Sequence, residues 1–292
     1  MTVDIKNQIT VVSGKGGTGK TTITAVLAQL SSPFCIIADC DVDAPNLHLL
    51  LDPRNKFSER FMSGKLAIKN TDKCSECGKC LEVCRFDAIS PELEVDPVRC
   101  EGCGACAWIC PENAINMEIQ PSGMIYEAQT RFGPFIHAQL DIGAENSGKL
   151  VSEVIQKSHE KANKLNKKLV IVDGSPGIAC PVIASLTNAK LVLLVVEPTA
   201  SAIHDMKRTL ELADFFKIKV AIVLNKSTIN EEQRKNIVSF CQKKEIPIVG
   251  EIPYQMEIYQ AMINGHTILE HQITPLIGPL NKMWSELQEM LK

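Results

Sequence analysis

Short apolar runs alternate with amphipathic stretches along most of the chain. The strands that this pattern predicts cover residues 8–13, 35–39, 169–173, 191–196, 220–224 and 246–250. The predicted helices between them cover residues 20–30, 203–216 and 231–243. Continuous Val, Ile and Leu runs are typical of parallel strands that helices cover on both faces. The pattern therefore predicts an α/β fold with a doubly wound, mostly parallel sheet.

Residues 57–117 interrupt this alternation with Cys, Gly and Pro. We interpret them as a small module inserted between two parts of one α/β domain, which cover residues 1–56 and 118–292. A last helix is predicted at 277–292. Its two lysines are balanced by two glutamates, so we expect its apolar residues to pack on the sheet rather than to bind a membrane.

Composition narrows the classes of protein. Of the 292 residues, 45% are apolar and 22% charged, and the net charge of −3 gives no basic surface for nucleic acid. No apolar run reaches about 18 residues, and the polar start at residues 1–8 differs from a signal peptide. These features predict a cytoplasmic protein without stable membrane insertion. Eight of the 12 cysteines lie between Cys74 and Cys110, which favours metal clusters in a reducing compartment over dispersed disulfides.

Residues 14–21 form the first site that carries chemistry. They fit G-x-x-x-x-G-K-[ST] between a predicted strand and a predicted helix, as a phosphate-binding loop requires. Glycines let successive backbone N–H groups turn inward, and the start of the helix adds partial positive charge, so the loop suits phosphate oxygens. We expect Lys20 to reach the β- and γ-phosphates and the Thr21 hydroxyl to bind Mg²⁺.

Lys15 is a second lysine that an ordinary phosphate-binding loop does not require. The segment GKGGTGKTT resembles the deviant Walker A motif of the MinD, ParA and nitrogenase iron protein superfamily. The resemblance implies a homodimer in the ATP state, in which Lys15 crosses the interface to the partner's nucleotide. The implied nucleotide-binding loop consists of Gly14, Lys15, Gly16, Gly17, Thr18, Gly19, Lys20, Thr21 and Thr22.

Carboxylates at the ends of other predicted strands resemble further motifs of this superfamily. The resemblance implies that Asp41 positions the attacking water, that Asp39 lies near the metal, and that Asp173 holds Mg²⁺ with Thr21. Lys15, Lys20 and Asp41 are then the catalytic residues. Asn225 resembles the position that reads adenine, and Pro253 resembles the residue that closes the base pocket.

The cysteines form two runs of the same spacing, C-x₂-C-x₂-C-x₃-C, offset by 26 residues. In such runs three thiolates hold one cubane, while the fourth cysteine ligates the other cluster. We therefore assign two [4Fe-4S] clusters, one to Cys74, Cys77, Cys80 and Cys110, the other to Cys84, Cys100, Cys103 and Cys106. The module resembles a bacterial two-cluster ferredoxin, except that Arg85 replaces the usual proline, which is present as Pro111. Zinc is a weaker alternative, because C-x-x-C pairs also bind it.

Three further features concern the cysteines and the charge around them. Cys35 and Cys241 are predicted to be small buried residues. Cys180 follows Asp173 by seven residues, and the nitrogenase iron protein has a bridging cysteine in the corresponding region, but no second ligand is evident here. Residues 74–110 carry three basic and seven acidic side chains, so a redox partner should present a basic face.

Three functions fit these motifs. In the first, an ATPase, Mg²⁺-dependent and slow or partner-stimulated, couples a nucleotide-driven dimer switch to electron transfer through the clusters. In the second, the protein is an ATP-gated scaffold or positioning switch, similar to MinD and ParA, with redox-sensing clusters. In the third, it carries or assembles iron-sulfur clusters. The third is disfavoured because related carriers use a C-terminal Cys-Pro-x-Cys pair, which this sequence does not contain.

Overall fold

The computed structural model describes residues 7–292. The predicted polar start of the chain lies mainly in residues 1–6, outside the described residues. The chain divides into two compact units. The first contains residues up to 58 together with 125–139 and 147–292, and the second contains residues 59–124 and 140–146.

Nine strands and ten α-helices are assigned in the described residues, together with one 3₁₀ turn at Thr71–Lys73. The strands are β1 (Asn7–Ser13), β2 (Cys35–Asp39), β3 (Arg54–Lys69), β4 (Ile115–Gln129), β5 (Pro134–Leu140), β6 (Leu169–Pro176), β7 (Leu191–Val196), β8 (Lys219–Asn225) and β9 (Ile248–Ile252). The helices are α1 (Lys20–Leu30), α2 (Leu47–Leu51), α3 (Lys79–Val83), α4 (Ala105–Ile109), α5 (Ser147–Lys164), α6 (Cys180–Leu186), α7 (Ala200–Phe215), α8 (Glu231–Lys243), α9 (Met256–Ile263) and α10 (Thr274–Met290).

The sheet has the strand order β3-β4-β5-β2-β6-β1-β7-β8-β9. Of β3 and β4, only residues 54–58 and 125–129 belong to the first unit. From β5 to β9 every neighbouring pair is parallel. β4 and β5 are neighbours in the sheet, and only four residues connect them. Because a parallel crossover needs a dozen residues or more, these two strands form an antiparallel hairpin. The prediction of a mostly parallel sheet is confirmed.

Two apolar clusters cover the two faces of this sheet. Along β7, Leu191, Leu193 and Val195 belong to the cluster beneath α1 and α10. The alternate residues of β7 belong to the cluster beneath α6, α7 and α8. Side chains alternate between the faces of a strand, so an uninterrupted apolar run is required wherever both faces are buried. This is the physical reason why the continuous runs in the sequence predict these strands.

The predicted elements agree with the structure to within a few residues. α1, β2, β7 and α8 have the predicted bounds, whereas β9 begins two residues later and ends two residues later than expected. α10 begins before the predicted helix, and its apolar side chains Leu276, Leu280 and Leu287 lie in the core as expected. No helix in residues 7–292 is long and apolar enough to cross a bilayer.

The second unit is built on a ribbon of β3 and β4. The Asn70 N–H donates to the Ala114 carbonyl (2.7 Å) and the Ser122 hydroxyl donates to the Ser63 carbonyl, so the end of β3 meets the start of β4 and the strands are antiparallel. In the sequence, the two cysteine runs lie between β3 and β4. The predicted boundaries of the inserted module, at residues 57 and 117, fall inside β3 and β4.

The internal duplication is visible in the backbone of the second unit. α3 and α4 each have five residues, and each follows a glycine in the left-handed region, Gly78 with φ 74° and Gly104 with φ 79°. Each helix is followed by the fourth cysteine of its run in an extended conformation. The equivalent residues Ile89 and Ile115 are both buried. Repeated sequence positions therefore have the same local structure.

Candidate functional site

The phosphate-binding loop lies between the end of β1 and the start of α1, as the motif predicts. Gly17 (φ 77°) and Gly19 (φ 92°) are in the left-handed region, where a side chain is strained. A Cβ atom at Gly19 would also lie 2.1 Å from Nδ2 of Asn225. That amide donates to the Thr18 carbonyl (2.7 Å), so the predicted adenine-reading residue also fixes the loop.

Asp173, within β6, is the centre of the charged site. Its Oδ1 atom lies 2.9 Å from Lys20 Nζ and accepts a hydrogen bond from the Thr24 hydroxyl (2.8 Å). Its Oδ2 atom accepts one from the Thr21 hydroxyl (2.8 Å). Asp173 is fully buried and Lys20 is 6% exposed. The structure therefore brings Lys20, Thr21 and Asp173 together, with Lys20 and Asp173 buried and Thr21 half-buried.

The charge of Lys20 is maintained by its neighbours. Burial alone would lower the pKa of the Lys20 ammonium, but Asp173, Asp39 and Asp41 together raise this pKa above its ordinary value. The Asp41 carboxylate lies 3.6 Å from Lys20 Nζ. Burial raises the pKa of Asp41, while Lys20 opposes that shift. The site thus combines one cation with three carboxyl groups.

Asp39 pairs in register with Asp173 on the neighbouring parallel strand, which explains why the two predicted metal ligands meet. Its carboxyl oxygens accept hydrogen bonds from the backbone N–H groups of Asp41 (3.0 Å) and Leu47 (3.2 Å). Burial, followed by repulsion from Asp173, raises the pKa of Asp39 to about 8. A cation at this point would relieve both penalties, because it would compensate the buried negative charge.

An open cleft of about 1080 Å³ lies over the phosphate-binding loop. Predicted site residues that line it are Gly16, Gly17, Gly19, Lys20, Thr21, Thr22, Asp41, Asn225 and Pro253. Its apolar end is formed by residues that the sequence did not single out, among them Ile258, Tyr259 and Met262. The cleft therefore has a polar end at the loop and an apolar, aromatic end where a flat base would pack.

Lys15 lies away from this cleft. Its Nζ atom is 2.7 Å from Oε1 of Glu197 and 3.2 Å from the Thr199 hydroxyl. Lys226 is 3.0 Å from the other carboxylate oxygen of Glu197 and donates to the Gly17 carbonyl (2.8 Å). Glu197 is thus held between two lysines of its own chain.

The second unit places the cysteines in two sets of four. One small cavity is lined by Cys74, Cys77, Cys80 and Cys110, and another is lined by Cys84, Cys100, Cys103 and Cys106. In each set three cysteines come from one run and the fourth comes from the other. Within residues 7–292, no three His, Cys, Asp or Glu side chains converge closely enough to hold a single metal ion.

The other cysteines differ in burial. Cys35 and Cys241 are buried, as predicted. Cys40 is also buried, and burial raises the pKa of its thiol well above the ordinary value. Cys180, the first residue of α6, is exposed.

The sequence missed Asn46 as part of the site and gave Glu197 no role in it. The Thr21 hydroxyl lies 2.9 Å from Oδ1 of Asn46, which follows the predicted switch carboxylates by a few residues. Glu197 directly follows the apolar run of β7, just as Asp173 ends that of β6. A polar residue at the carboxyl end of a parallel strand is a signal that could have identified it.

Comparison with known proteins decides the family. The family described as the CobQ/CobB/MinD/ParA nucleotide-binding domain matches residues 9–268. The chain belongs to this family. Its fold is that of the MinD/ParA P-loop ATPases.

Individual MinD/ParA relatives cover most of the chain. An uncharacterised protein of Methanocaldococcus jannaschii, MJ0578, is 44% identical over 225 residues, which are 76% of this chain and 79% of the relative. The septum site-determining protein MinD of Pyrococcus horikoshii, solved with Mg-ADP, has a TM-score of 0.60 at 17% identity and covers 97% of this chain and 96% of its own. The MinC:MinD complex of Aquifex aeolicus gives a TM-score of 0.59 at 17% identity over 97% of this chain and 96% of the solved one. These structures establish the fold.

Proposed function

We propose that the protein is an ATP-gated switch, which binds and hydrolyses Mg-ATP, dimerises when ATP is bound, and carries two redox-sensing [4Fe-4S] clusters. The observation that carries the proposal is the contact of buried Asp173 with Lys20 and Thr21, which line the cleft at the glycine-rich loop. This is an arrangement that binds the phosphates and the metal of a nucleoside triphosphate. Membership of the MinD/ParA family supports the ATPase part of the proposal.

The residues of the cleft fit Mg²⁺ and a triphosphate. Mg²⁺ prefers oxygen ligands, and Thr21, Asp173 and Asp39 would supply a hydroxyl and carboxylates from the end of the loop and from two adjacent strands. The Thr18 hydroxyl oxygen is buried in the phosphate-binding loop and lacks a partner within the described residues. The bound metal would neutralise charge on the phosphates, Lys20 would stabilise the transferring phosphoryl group, and Asp41 would orient the attacking water.

Dimerisation in the ATP state follows from the role proposed for Lys15. In this proposal the lysine of one chain contacts the nucleotide of the partner, so each ATP site is complete only in the homodimer. Solved proteins with the same fold include a MinD in complex with Mg-ADP and a MinD in complex with MinC, which supports nucleotide binding and a protein partner. We expect hydrolysis to be slow in the isolated protein and to be stimulated by a partner.

The module of residues 57–117 is proposed to hold the clusters. Three thiolates from one run and one from the other are the ligand pattern of a two-cluster ferredoxin, and the two cavities are lined by these sets. When bound, such clusters would add the ability to gain and lose single electrons.

Electron transfer is the second candidate function, and one observation favours it. Trp108, on α4 between two cluster cysteines, is 85% exposed, and Val98 is 90% exposed in the same unit. Exposed apolar side chains on a segment with seven acidic and three basic residues are suited to a transient partner with a basic face. In this version the nucleotide-driven dimer would control electron delivery rather than report redox state.

The test of the proposed function is ATP-dependent dimerisation of anaerobically purified protein, measured by light scattering after gel filtration. We expect a dimer with Mg-ATP and a monomer with Mg-ADP. Lys15→Ala should remove the dimer, whereas Lys282→Ala, which removes an exposed lysine paired with Glu286, should leave it unchanged. A monomer with Mg-ATP would contradict the switch. ATP turnover that differs between oxidised and reduced protein would support redox sensing, and transfer of electrons to an acceptor that requires ATP would favour the second candidate.

A further inference from the structure

Glu197 lies where two lysine-bearing loops meet. In the sheet, β7 is flanked by β1 on one side and by β8 on the other, and both pairings are parallel. The loops that follow these three strands therefore lie side by side at the carboxyl edge. Lys15 follows β1, Glu197 follows β7 and Lys226 follows β8. The strand order thus places one carboxylate between two lysines.

The contacts of Glu197 are short and partly shielded from water. Its side chain is 10% exposed, and each carboxylate oxygen pairs with one lysine, at 2.7 Å for Lys15 and 3.0 Å for Lys226. Burial alone would raise the pKa of Glu197, but the two lysines lower it below its ordinary value. The Thr199 and Ser201 hydroxyl groups lie 3.2 Å and 3.5 Å from Lys15 Nζ and add polar contacts to the same ammonium group.

The two lysines differ in what else they hold. Lys226 also donates to the Gly17 carbonyl, so it connects Glu197 to the phosphate-binding loop. The further contacts of Lys15 are the two hydroxyl groups that follow Glu197, and its side chain is 35% exposed. Lys15 can therefore leave while Lys226 continues to neutralise Glu197 and to hold the loop.

We propose that Glu197 is a positioning residue that retains Lys15 within its own chain, and that ATP-dependent dimerisation requires Lys15 to leave Glu197. The inference rests on the proposed ATP-dependent dimer. The triphosphate of the partner would offer Lys15 a more negative group than one carboxylate, so the exchange favours the dimer only when that nucleotide is present. Glu197 thereby raises the ATP concentration at which the dimer forms.

Glu197→Gln tests this role, because it keeps the shape of the side chain and removes its charge. The expected result is a fall of about twofold to fivefold in the ATP concentration that gives half-maximal dimerisation, which corresponds to the strength of a partly exposed ion pair. Glu251→Gln is the matched control, since Glu251 pairs with Arg234 (2.8 Å), which lies on α8, and should leave the midpoint unchanged. Lys226→Gln should not lower the midpoint, because it leaves the pair of Lys15 and Glu197 intact.

A second readout does not depend on dimerisation. An amine-reactive reagent, applied to nucleotide-free protein and analysed by mass spectrometry, should modify Lys15 about twofold to fivefold faster in Glu197→Gln than in the wild type. Unchanged labelling would overturn the retention of Lys15 even if the wild type formed no dimer at all. Faster labelling with an unchanged or higher ATP midpoint would overturn the proposed control of dimerisation. Absence of a wild-type dimer would count against the proposed function, independently of the labelling result.

Discussion

The two compact units differ in how their candidate sites are built. In the first unit, Lys20 and Asp173 are fixed by direct contacts between protein atoms, and a large core on both faces of the sheet supports them. In the second unit, eight cysteines line two cavities, and the cluster of buried residues beside them is small, with Ala67, Ile89, Leu93, Cys106 and Ile115 as members. The side chains of the first site contact one another directly, whereas the cysteines of the second unit line cavities.

This difference has a consequence for stability. So small a core supplies little of the free energy of folding that a unit of this size requires. Small domains of this kind commonly depend on metal ligation, because the ligands lose more conformational freedom than their own packing can offset. The first unit should therefore fold without its ligand, and the second should depend on its ligand.

The largest expected effect is on the second unit alone. Removal of iron by a chelator under reducing conditions should abolish the protection of its backbone amides against hydrogen exchange, since the cavities lose the groups that join the two cysteine runs. Amides of β1, β6 and β7 in the first unit should keep their protection. Hydrogen exchange read by mass spectrometry measures both units in one sample.

Cys106→Ser provides the genetic version of this experiment, because Cys106 is both a proposed ligand and part of the small buried cluster. Cys241→Ser is the matched control, as it changes a buried cysteine of the first unit that lines neither cysteine cavity. Full protection of the second unit in iron-free protein would contradict the expected dependence of its folding on bound iron.

The second effect concerns the first unit alone. Lys20→Met should reduce ATP hydrolysis by at least about 100-fold, because it removes the cation that would stabilise charge on the transferring phosphoryl group. The iron content per chain should stay at the wild-type value. Steady-state turnover and iron analysis on the same preparation check both statements, with Lys282→Met as the control.

A fold effect of Lys20→Met is separable from its effect on chemistry. The sequence has two tryptophans, Trp108 in the second unit and Trp284 in the first, so fluorescence of the variant in a Trp108→Phe background reports the first unit. Hydrolysis within tenfold of the wild type, with the unit folded, would contradict the role of Lys20.

The third effect is a pH dependence of the free energy of unfolding that arises from Asp39. Its pKa is about 8 in the folded unit, against about 4 in an unfolded chain, so between these values the folded state holds a proton that the unfolded state has lost. The free energy of unfolding should therefore fall as the pH rises from 4 to 8, and this contribution should be constant above pH 8. For one group the slope is at most about 1.4 kcal/mol per pH unit.

Asp39→Asn should make that slope shallower, because amide and carboxyl differ in their capacity to bind a proton. Asp43→Asn, at an exposed carboxylate four residues away, is the control and should leave the slope unchanged. Urea unfolding followed by Trp284 fluorescence between pH 6 and 9 makes the measurement. Equal slopes in the wild type and Asp39→Asn would contradict the assignment of the titration.

The smallest effect distinguishes the two cysteine cavities from each other. Lys69 lines the cavity of Cys74, Cys77, Cys80 and Cys110, whereas apolar residues such as Phe86 and Met117 line the other. A nearby cation favours the reduced, more negative state of a cluster. Lys69→Met should therefore lower one midpoint potential and leave the second unchanged, as read by redox titration with electron paramagnetic resonance. Lys65→Met, which lines neither cavity, should change neither, and equal shifts of both potentials in Lys69→Met would contradict the assignment.

Much of the first unit could be predicted because its strands are apolar on both faces. The bounds of α1, β2, β7 and α8 follow from the pattern, and the meeting of Asp39 with Asp173 follows from adjacent parallel strands. α5 could have been found, since Leu150, Val151, Val154 and Ile155 repeat with a helical period on its buried face. The pair of Lys15 and Glu197 required the strand order, which no local pattern contains.

The ribbon of β3 and β4 could not be predicted for a different reason. Most of β3 is exposed or half-buried, so its residues 54–69 show no clear alternation of apolar and polar positions. The cysteine spacing nevertheless indicated which sulfurs would share a cavity, because the two runs repeat the same geometry. Local spacing was informative in the second unit, and hydrophobic pattern was informative in the first.

Native mass spectrometry of anaerobically purified protein with Mg-ATP tests the central claim most directly, because one spectrum gives the number of chains, nucleotides and clusters. We expect a dimer that contains two adenosine nucleotides and four [4Fe-4S] clusters. A chain that carries zinc or no metal, or a monomer that takes up no nucleotide, would contradict it.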